Sequence, residues 1–207
     1  MRQVVTIISL VFLVQIGFAQ SNKWAVKAGY NYTSGKAVYD GVKQTVNSKS
    51  GFGVGVMAKI PFENQLIFTP SVGYSMKGFI VNPKSGVPLK HDFTLHYFTI
   101  TPALSYEHTV NDNSFFFTAG PYLGITKFGR IKTTTASGTT NEKMEFGYGA
   151  YGMFDLGFTG GISYHFNNMF VEAQYSPGLT SINNNEELDK RNLKNTVLSL
   201  NIGYYFR

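Results

Sequence analysis

Residues 154–166 read Phe-Asp-Leu-Gly-Phe-Thr-Gly-Gly-Ile-Ser-Tyr-His-Phe, and this stretch decides the fold class. Its even-numbered positions are apolar or aromatic apart from one glycine, whereas its odd-numbered positions are small or polar. Successive side chains of a strand point to opposite faces, so this alternation predicts a β-strand with one apolar face and one small, polar face.

The same period of two recurs in seven further segments, and no segment has a helical period. These segments are 24–32, 52–60, 66–77, 95–106, 115–126, 169–176 and 198–206. The connections between the segments alternate in length. Short turns lie near 61–65, 111–113 and 167–168, and longer polar stretches lie near 33–50, 80–92, 128–145 and 177–193. Short turns at one end and long loops at the other are typical of outer-membrane barrels.

Two architectures fit eight amphipathic strands, a transmembrane barrel and a soluble barrel or sandwich. A soluble barrel carries charge on its outer face, whereas the polar face here is mostly Gly, Ser and Thr, which suits a narrow lumen. Aromatic residues such as Phe154 and Tyr164 stand near strand ends, where membrane interfaces favour them. We therefore predict an all-β fold, an eight-stranded antiparallel transmembrane β-barrel that follows a cleaved signal peptide.

The composition supports this class. Charged residues make up 14% of the 207 residues and aromatic residues 15%, a balance that excludes disorder, coiled coil and collagen. The absence of cysteine excludes disulfides, cysteine-bound zinc and thiol chemistry. The net charge of +6 comes from scattered Lys and Arg without a basic cluster, so we expect no nucleic-acid partner.

The first residues have the pattern of a secretory signal. Arg2 precedes an apolar run over 4–14, and Gly17 and Ala19 supply the small residues of a cleavage site. A membrane anchor helix is the alternative, but the run is short for a span of about 20 residues. We predict a signal peptide over 1–19, an outer membrane β-barrel domain over 20–207, and the outer membrane of a Gram-negative bacterium as the location.

The inward face of the predicted strands carries six titratable residues: Lys27, Lys59, Lys77, Asp155, His165 and Glu172. Side chains fill the interior of an eight-stranded barrel, and charges there must pair or stay hydrated. We expect these residues to form a structural network that plugs the lumen. A proton or ion path is the alternative.

No constellation of residues predicts catalysis, a cofactor or a metal. Ser163 and His165 share the inward face, but Asp155 is ten residues from His165, or ~33 Å along a strand, too far to orient it. The four histidines are dispersed. The acidic residues near 186–189 are followed at once by Lys190 and Arg191, which favours a solvated loop.

Six stretches match a known pattern in order and spacing: Val26-Lys27-Ala28-Gly29, 70–78 (Pro-Ser-Val-Gly-Tyr-Ser-Met-Lys-Gly), Thr99-Ile100-Thr101-Pro102, Ala119-Gly120-Pro121-Tyr122-Leu123-Gly124, Phe154-Asp155-Leu156-Gly157 and Tyr175-Ser176-Pro177-Gly178-Leu179-Thr180. They resemble the PorT-like outer-membrane β-barrel family, common in Bacteroidetes. The resemblance implies an eight-stranded barrel with both termini in the periplasm. One namesake belongs to a protein-secretion machine. The family often has a carboxylate where this chain has Thr101.

These observations favour a small integral outer-membrane barrel, not an enzyme, that is structural or binds an envelope protein through its long loops. A small transport or ligand-binding barrel and an accessory of a secretion machine are alternatives, and a lipid-modifying enzyme is less favoured. The expected partners are outer-membrane lipids and the barrel-assembly machinery. Resemblance to outer-membrane barrels implies that this machinery reads the aromatic last strand, with Phe206 as the assembly signal.

Overall fold

The computed structural model describes residues 22–84, 89–147, 149–184 and 191–206, so the predicted signal peptide lies outside it. Within these ranges all the regular secondary structure is β-strand. No helix there is long and apolar enough to cross a membrane. The strands are β1 (Lys23–Tyr39), β2 (Val42–Lys43), β3 (Thr45–Asn47), β4 (Lys49–Glu63), β5 (Leu66–Asn82), β6 (Lys90–Val110), β7 (Asn113–Thr135), β8 (Gly138–Lys143), β9 (Phe154–Phe166), β10 (Met169–Pro177) and β11 (Arg191–Phe206).

Eight of these strands form a closed antiparallel ring in the order β1, β4, β5, β6, β7, β9, β10 and β11. The last strand pairs back with the first from Trp24–Phe206 to Tyr39–Arg191, so the ring has no open edge. Closure is what lets a sheet satisfy its backbone hydrogen bonds in lipid. The predicted eight-stranded antiparallel barrel is therefore confirmed.

Three short turns close one end of the barrel, which we call the short-turn end. Asn64, Asn111 and Asn167 stand in these turns with φ values of 51°, 55° and 53°. Asparagine tolerates this left-handed conformation better than most residues. Both described chain ends also lie there, because Trp24 pairs with Phe206. The opposite end carries the longer connections, and we call it the long-connection end.

Two of the polar stretches predicted as long loops, 33–50 and 128–145, are largely strand, and strand also covers both ends of 80–92. β6 begins at Lys90 and β7 runs to Thr135, and the short strands β2, β3 and β8 extend the same hairpins. The strands were predicted from an alternation in which one face is apolar. The apolar outer face ends where the lipid ends, so the pattern stops there too. Strand pairing continues beyond it because ladder hydrogen bonds and cross-strand contacts also form in water.

The outward face of the ring follows the predicted parity. In β11 the even-numbered residues Leu198 to Phe206 are 45–60% exposed, whereas Val197, Ser199 and Tyr205 between and beside them are buried. The strand register also aligns aliphatic side chains from six strands into one lipid-facing row: Val26, Val56, Val72, Ile100, Leu123 and Leu156.

Toward the long-connection end the polarity of the two faces is reversed. In β6 the apolar residues Phe93, Leu95 and Tyr97 point inward and are fully buried, whereas the large apolar residues Phe98, Ile100 and Leu104 point outward. They belong to a core that also takes in Met144 and Ile182 from the connections. The barrel is thus built for lipid over one part of its length and for water over the other.

We expect Ile202→Arg to destabilise the barrel by about 2–4 kcal/mol, because it places a cation near the middle of the lipid-facing face. Thr196→Arg on the same strand and face lies beyond the last apolar outward residue, Leu198, and serves as the matched control. Urea unfolding of both variants, refolded in lipid vesicles, measures the difference. Equal stability of the two variants would show that the lipid-facing register is wrong.

Candidate functional site: the side chains inside the barrel

The interior is filled in successive layers along the barrel axis. The layer at the short-turn end is aromatic. The imidazole of His165 stacks on Phe116 and Phe170, with ring centroids 3.9 and 5.0 Å away, and Tyr205 lies 5.7 Å away. The Phe170 ring lies directly over Gly203, where any Cβ would collide with it. This layer closes the short-turn end with side chains from four strands.

An ion pair stands beside this aromatic layer. Lys59 Nζ donates to Glu107 Oε1 over 2.9 Å and lies 4.6 Å from the centroid of the Phe116 ring. Both side chains of the pair keep about a fifth of their surface exposed, with values of 20% and 22%. Partial solvation at the barrel mouth lowers the cost of holding these charges.

Glu172 marks the next layer. Its Oε2 accepts hydrogen bonds from Lys27 Nζ and Asn201 Nδ2, both over 2.8 Å. The Glu172 side chain is only 7% exposed, so its charge depends on these two donors. The Glu172 carboxylate of β10 thus links β1, through Lys27, and β11, through Asn201, on the inside of the barrel.

The most buried ion pair joins Lys77 of β5 to Asp155 of β9, with Nζ and Oδ2 2.9 Å apart. The side chains are 4% and 0% exposed. Tyr122 donates to Asp155 Oδ1 over 3.2 Å and Asn195 Nδ2 donates to Oδ2 over 3.1 Å. The Lys77 ammonium also lies 4.3 Å from the centre of the Tyr122 ring, a cation–π contact. Every charge in this layer is thus compensated.

A polar cavity of about 80 Å³ lies within the barrel, between the Glu172 and Asp155 layers. Its wall includes Asn31, Ser75, Thr101, Gln174 and Ser199. A polar space of this size holds several water molecules. Water, small ions or protons are the species that it fits.

The predicted inward residues thus fall into separate groups. Lys27 meets Glu172, Lys77 meets Asp155, and Lys59 meets a residue that the sequence analysis did not select, Glu107. Glu107 follows the inward parity of Ser105 but lies one residue beyond the predicted end of its strand. Asn195 and Asn201 were also missed, although both lie on the inward parity of the last strand.

Ser163 and His165 are hydrogen-bonded, with Oγ and Nε2 2.7 Å apart, and both are buried. Asp155 lies in a different layer and pairs with Lys77. Within the described ranges no carboxylate is hydrogen-bonded to His165, and no three His, Cys, Asp or Glu side chains group as metal ligands. Glu186, Glu187 and Asp189 lie outside the described residues.

Phe206 lies on the outward face at the short-turn end. It pairs with Trp24, is 47% exposed, and packs edge-on against Tyr204 with ring centroids 5.8 Å apart. It therefore belongs to a group of aromatic side chains at one edge of the lipid-facing band.

A closed barrel with a polar interior and an apolar outer band is the architecture of outer-membrane barrels in general. Residues 18–184 match the family model of the outer membrane protein beta-barrel domain. The chain belongs to this family. Membership in the outer membrane protein beta-barrel family agrees with the outward apolar band and places the protein in the outer membrane of a Gram-negative bacterium.

Solved structures of other outer-membrane proteins are similar to this chain. Ail, the attachment invasion locus protein of Yersinia pestis, is 15% identical over 90% of this chain and 100% of its own, with a TM-score of 0.49. Neisserial surface protein A is 16% identical over 90% of this chain and 100% of its own, with a TM-score of 0.46. OprG from Pseudomonas aeruginosa is 12% identical over 90% of this chain and 97% of its own, with a TM-score of 0.47. No curated protein matches the sequence.

We expect Asp155→Asn to cost about 3–5 kcal/mol of unfolding free energy, because it leaves the Lys77 ammonium buried without a counter-charge. Glu107→Gln breaks the more exposed Lys59 pair and should cost clearly less. The double variant Lys77→Met with Asp155→Leu removes both buried charges and should recover most of the loss. Urea unfolding in vesicles measures all three, and a double variant no more stable than Asp155→Asn would contradict the pairing.

Proposed function

We propose that this protein is a small outer-membrane barrel with a plugged lumen, which acts as a structural element or binds an envelope partner through its long connections. The observation that carries the proposal is the filling of the lumen. Three ion-paired or aromatic layers cross it, and the apolar core around Phe79, Phe93 and Leu193 fills its long-connection end. A filled barrel offers a partner its rim and connections, not its interior.

The proposal includes an orientation, with both termini in the periplasm and the long connections outside the cell. It is supported by the placement of both described chain ends beside the three short turns. Outer-membrane barrels generally have short turns on the periplasmic side and longer loops outside. Membership in the PorT-like group, and with it a role beside a secretion machine, remains a finer proposal that rests on sequence resemblance alone.

A transport or ligand-binding role is the second candidate, and the polar cavity is the observation that favours it. The Lys77–Asp155 layer stands between this cavity and the long-connection end, so a solute would have to displace a buried ion pair. We further propose that the protein is not an enzyme. The Ser163–His165 pair supports this, since both side chains are buried and the imidazole is stacked on Phe116 and Phe170.

Single-channel recording in planar bilayers tests the plugged lumen. We expect no steady conductance from the refolded wild-type barrel, because compensated charges and packed rings fill its bore. A channel-forming porin in the same bilayers serves as the positive control. Stable openings of wild-type protein, altered by Asp155→Asn, would support the transport role in place of the plugged one.

We propose that the last strand carries the assembly signal and that Phe206 is its main residue. Phe206→Ser should lower the amount of protein in the outer membrane while the purified variant still refolds in detergent. Tyr204→Ser is the matched control, since both rings are 47% exposed on the same strand and face. If the Phe206 ring is only an interface anchor, both variants should lower the amount of protein in the outer membrane slightly and equally. That result would overturn the signal role.

A further inference from the structure

The outer wall of the barrel carries a groove of about 800 Å³ near the long-connection end. Its lining comes from β6, β7 and β8, with Lys49 from β4, and Thr94, His96, Phe128 and Arg130 in this lining are on the outward, even-numbered face of their strands. Five cationic side chains line it, with Asp92 as the carboxylate among its lining residues: Lys49, Lys127, Arg130, Lys132 and Lys143. These residues are dispersed in the sequence, and strand pairing gathers them on one face.

The charges of this groove are arranged unfavourably for the protein alone. Arg130 and Lys143 stand directly opposite each other on paired strands, and Lys132 is on the same face two residues along β7. Like charges at opposite positions of a ladder repel. Such an arrangement is stabilised when an anion lies between the cations.

The carboxylate of the groove does not balance these three cations. The Asp92 carboxylate accepts a hydrogen bond from the ammonium of Lys49, which also donates to Thr94 Oγ1. Within the described ranges, Arg130, Lys132 and Lys143 have no ion pair with a carboxylate. The groove therefore holds several donors that are available to an external anion.

The position of the groove indicates which anion it meets. Phe128 lines it, pairs with His96, and is 74% exposed. The next outward residue of β6, Phe98, belongs to the lipid-facing band. Aromatic residues at the band edge mark the depth of lipid headgroups, so a groove that faces sideways there adjoins headgroup phosphates.

A β-bulge shapes the groove. The register of β6 and β7 shifts between His96 and Tyr97, so that Lys127 is the extra residue. Bulges redirect side chains at the ends of ladders. Here the bulge adds a fifth cation to the groove wall beside the exposed Phe128.

We propose that this groove binds the phosphate groups of a glycolipid headgroup in the outer leaflet. The inference rests on the orientation given under the proposed function. Arg130 supplies a planar fork for two phosphate oxygens, and the lysines supply point charges. The volume fits a headgroup with more than one anionic group, and Phe128 lies against the acyl chains below it.

Native mass spectrometry of the refolded barrel in detergent tests the site, with bisphosphorylated lipid A and its dephosphorylated form as probes. Arg130→Ser with Lys143→Ser should weaken binding of the bisphosphorylated lipid about tenfold, because charge-assisted hydrogen bonds are lost. The matched control is Lys36→Ser with Lys194→Ser, a second opposed cationic pair on β1 and β11. It removes the same charge away from the groove and should leave binding nearly unchanged.

Three results would overturn the proposal: equal binding of the dephosphorylated lipid, equal weakening by the control pair, or competition by inorganic pyrophosphate or a sulfated glycan as effective as that by the lipid. Migration of unheated samples on cold gels checks that each variant is folded. Orientation is tested separately by Ser137→Cys, an exposed position between β7 and β8 in a chain without cysteine. A membrane-impermeant maleimide that fails to label it in intact cells contradicts the orientation but leaves the binding result intact.

Discussion

The pairing of β1 with β11 is the constraint on which the rest of the structure depends. Lipid offers no hydrogen-bond partner, so a sheet is stable there only when its first and last strands meet. Once the ring is closed, each residue is committed to one face. Polar side chains on the inward face are then confined to a narrow space, and their charges have to be compensated by residues from other strands.

The interior changes character along its length for the same reason. Where the outer face meets lipid, the inner face is small and polar and carries the ion pairs of Lys27 and Lys77. Where the outer face meets water, the inner face is apolar and buries Phe79 and Phe93. Tyr97 joins the two regions, since its ring belongs to the apolar core and its hydroxyl accepts a hydrogen bond from Asn195.

The charges inside and outside the barrel have different relations to their partners. Inside, each described carboxylate has a lysine and at times an amide or hydroxyl donor, so the interior charges are compensated by residues of the barrel itself. Outside, at the rim, cations face cations: Arg130 opposes Lys143, and Lys36 opposes Lys194. Compensated interior charges agree with a structural lumen, whereas these four cations at the rim have no ion pair with a described carboxylate.

The alternation of apolar and small side chains determined the strand type, the number of ring strands and the face that each residue occupies, because side-chain direction in a strand is a local property. The inward position of Phe93 also lies in the sequence, but it was missed because a polar outer face is also typical of a loop, and the predicted strand therefore began only at residue 95. Partner choice was decided only by the tertiary structure. Lys77 and Asp155 are 78 residues apart, and the Arg130–Lys143 groove needs a hairpin and a bulge beyond the lipid. These contacts depend on the stagger of strands around a closed ring, which no single segment encodes.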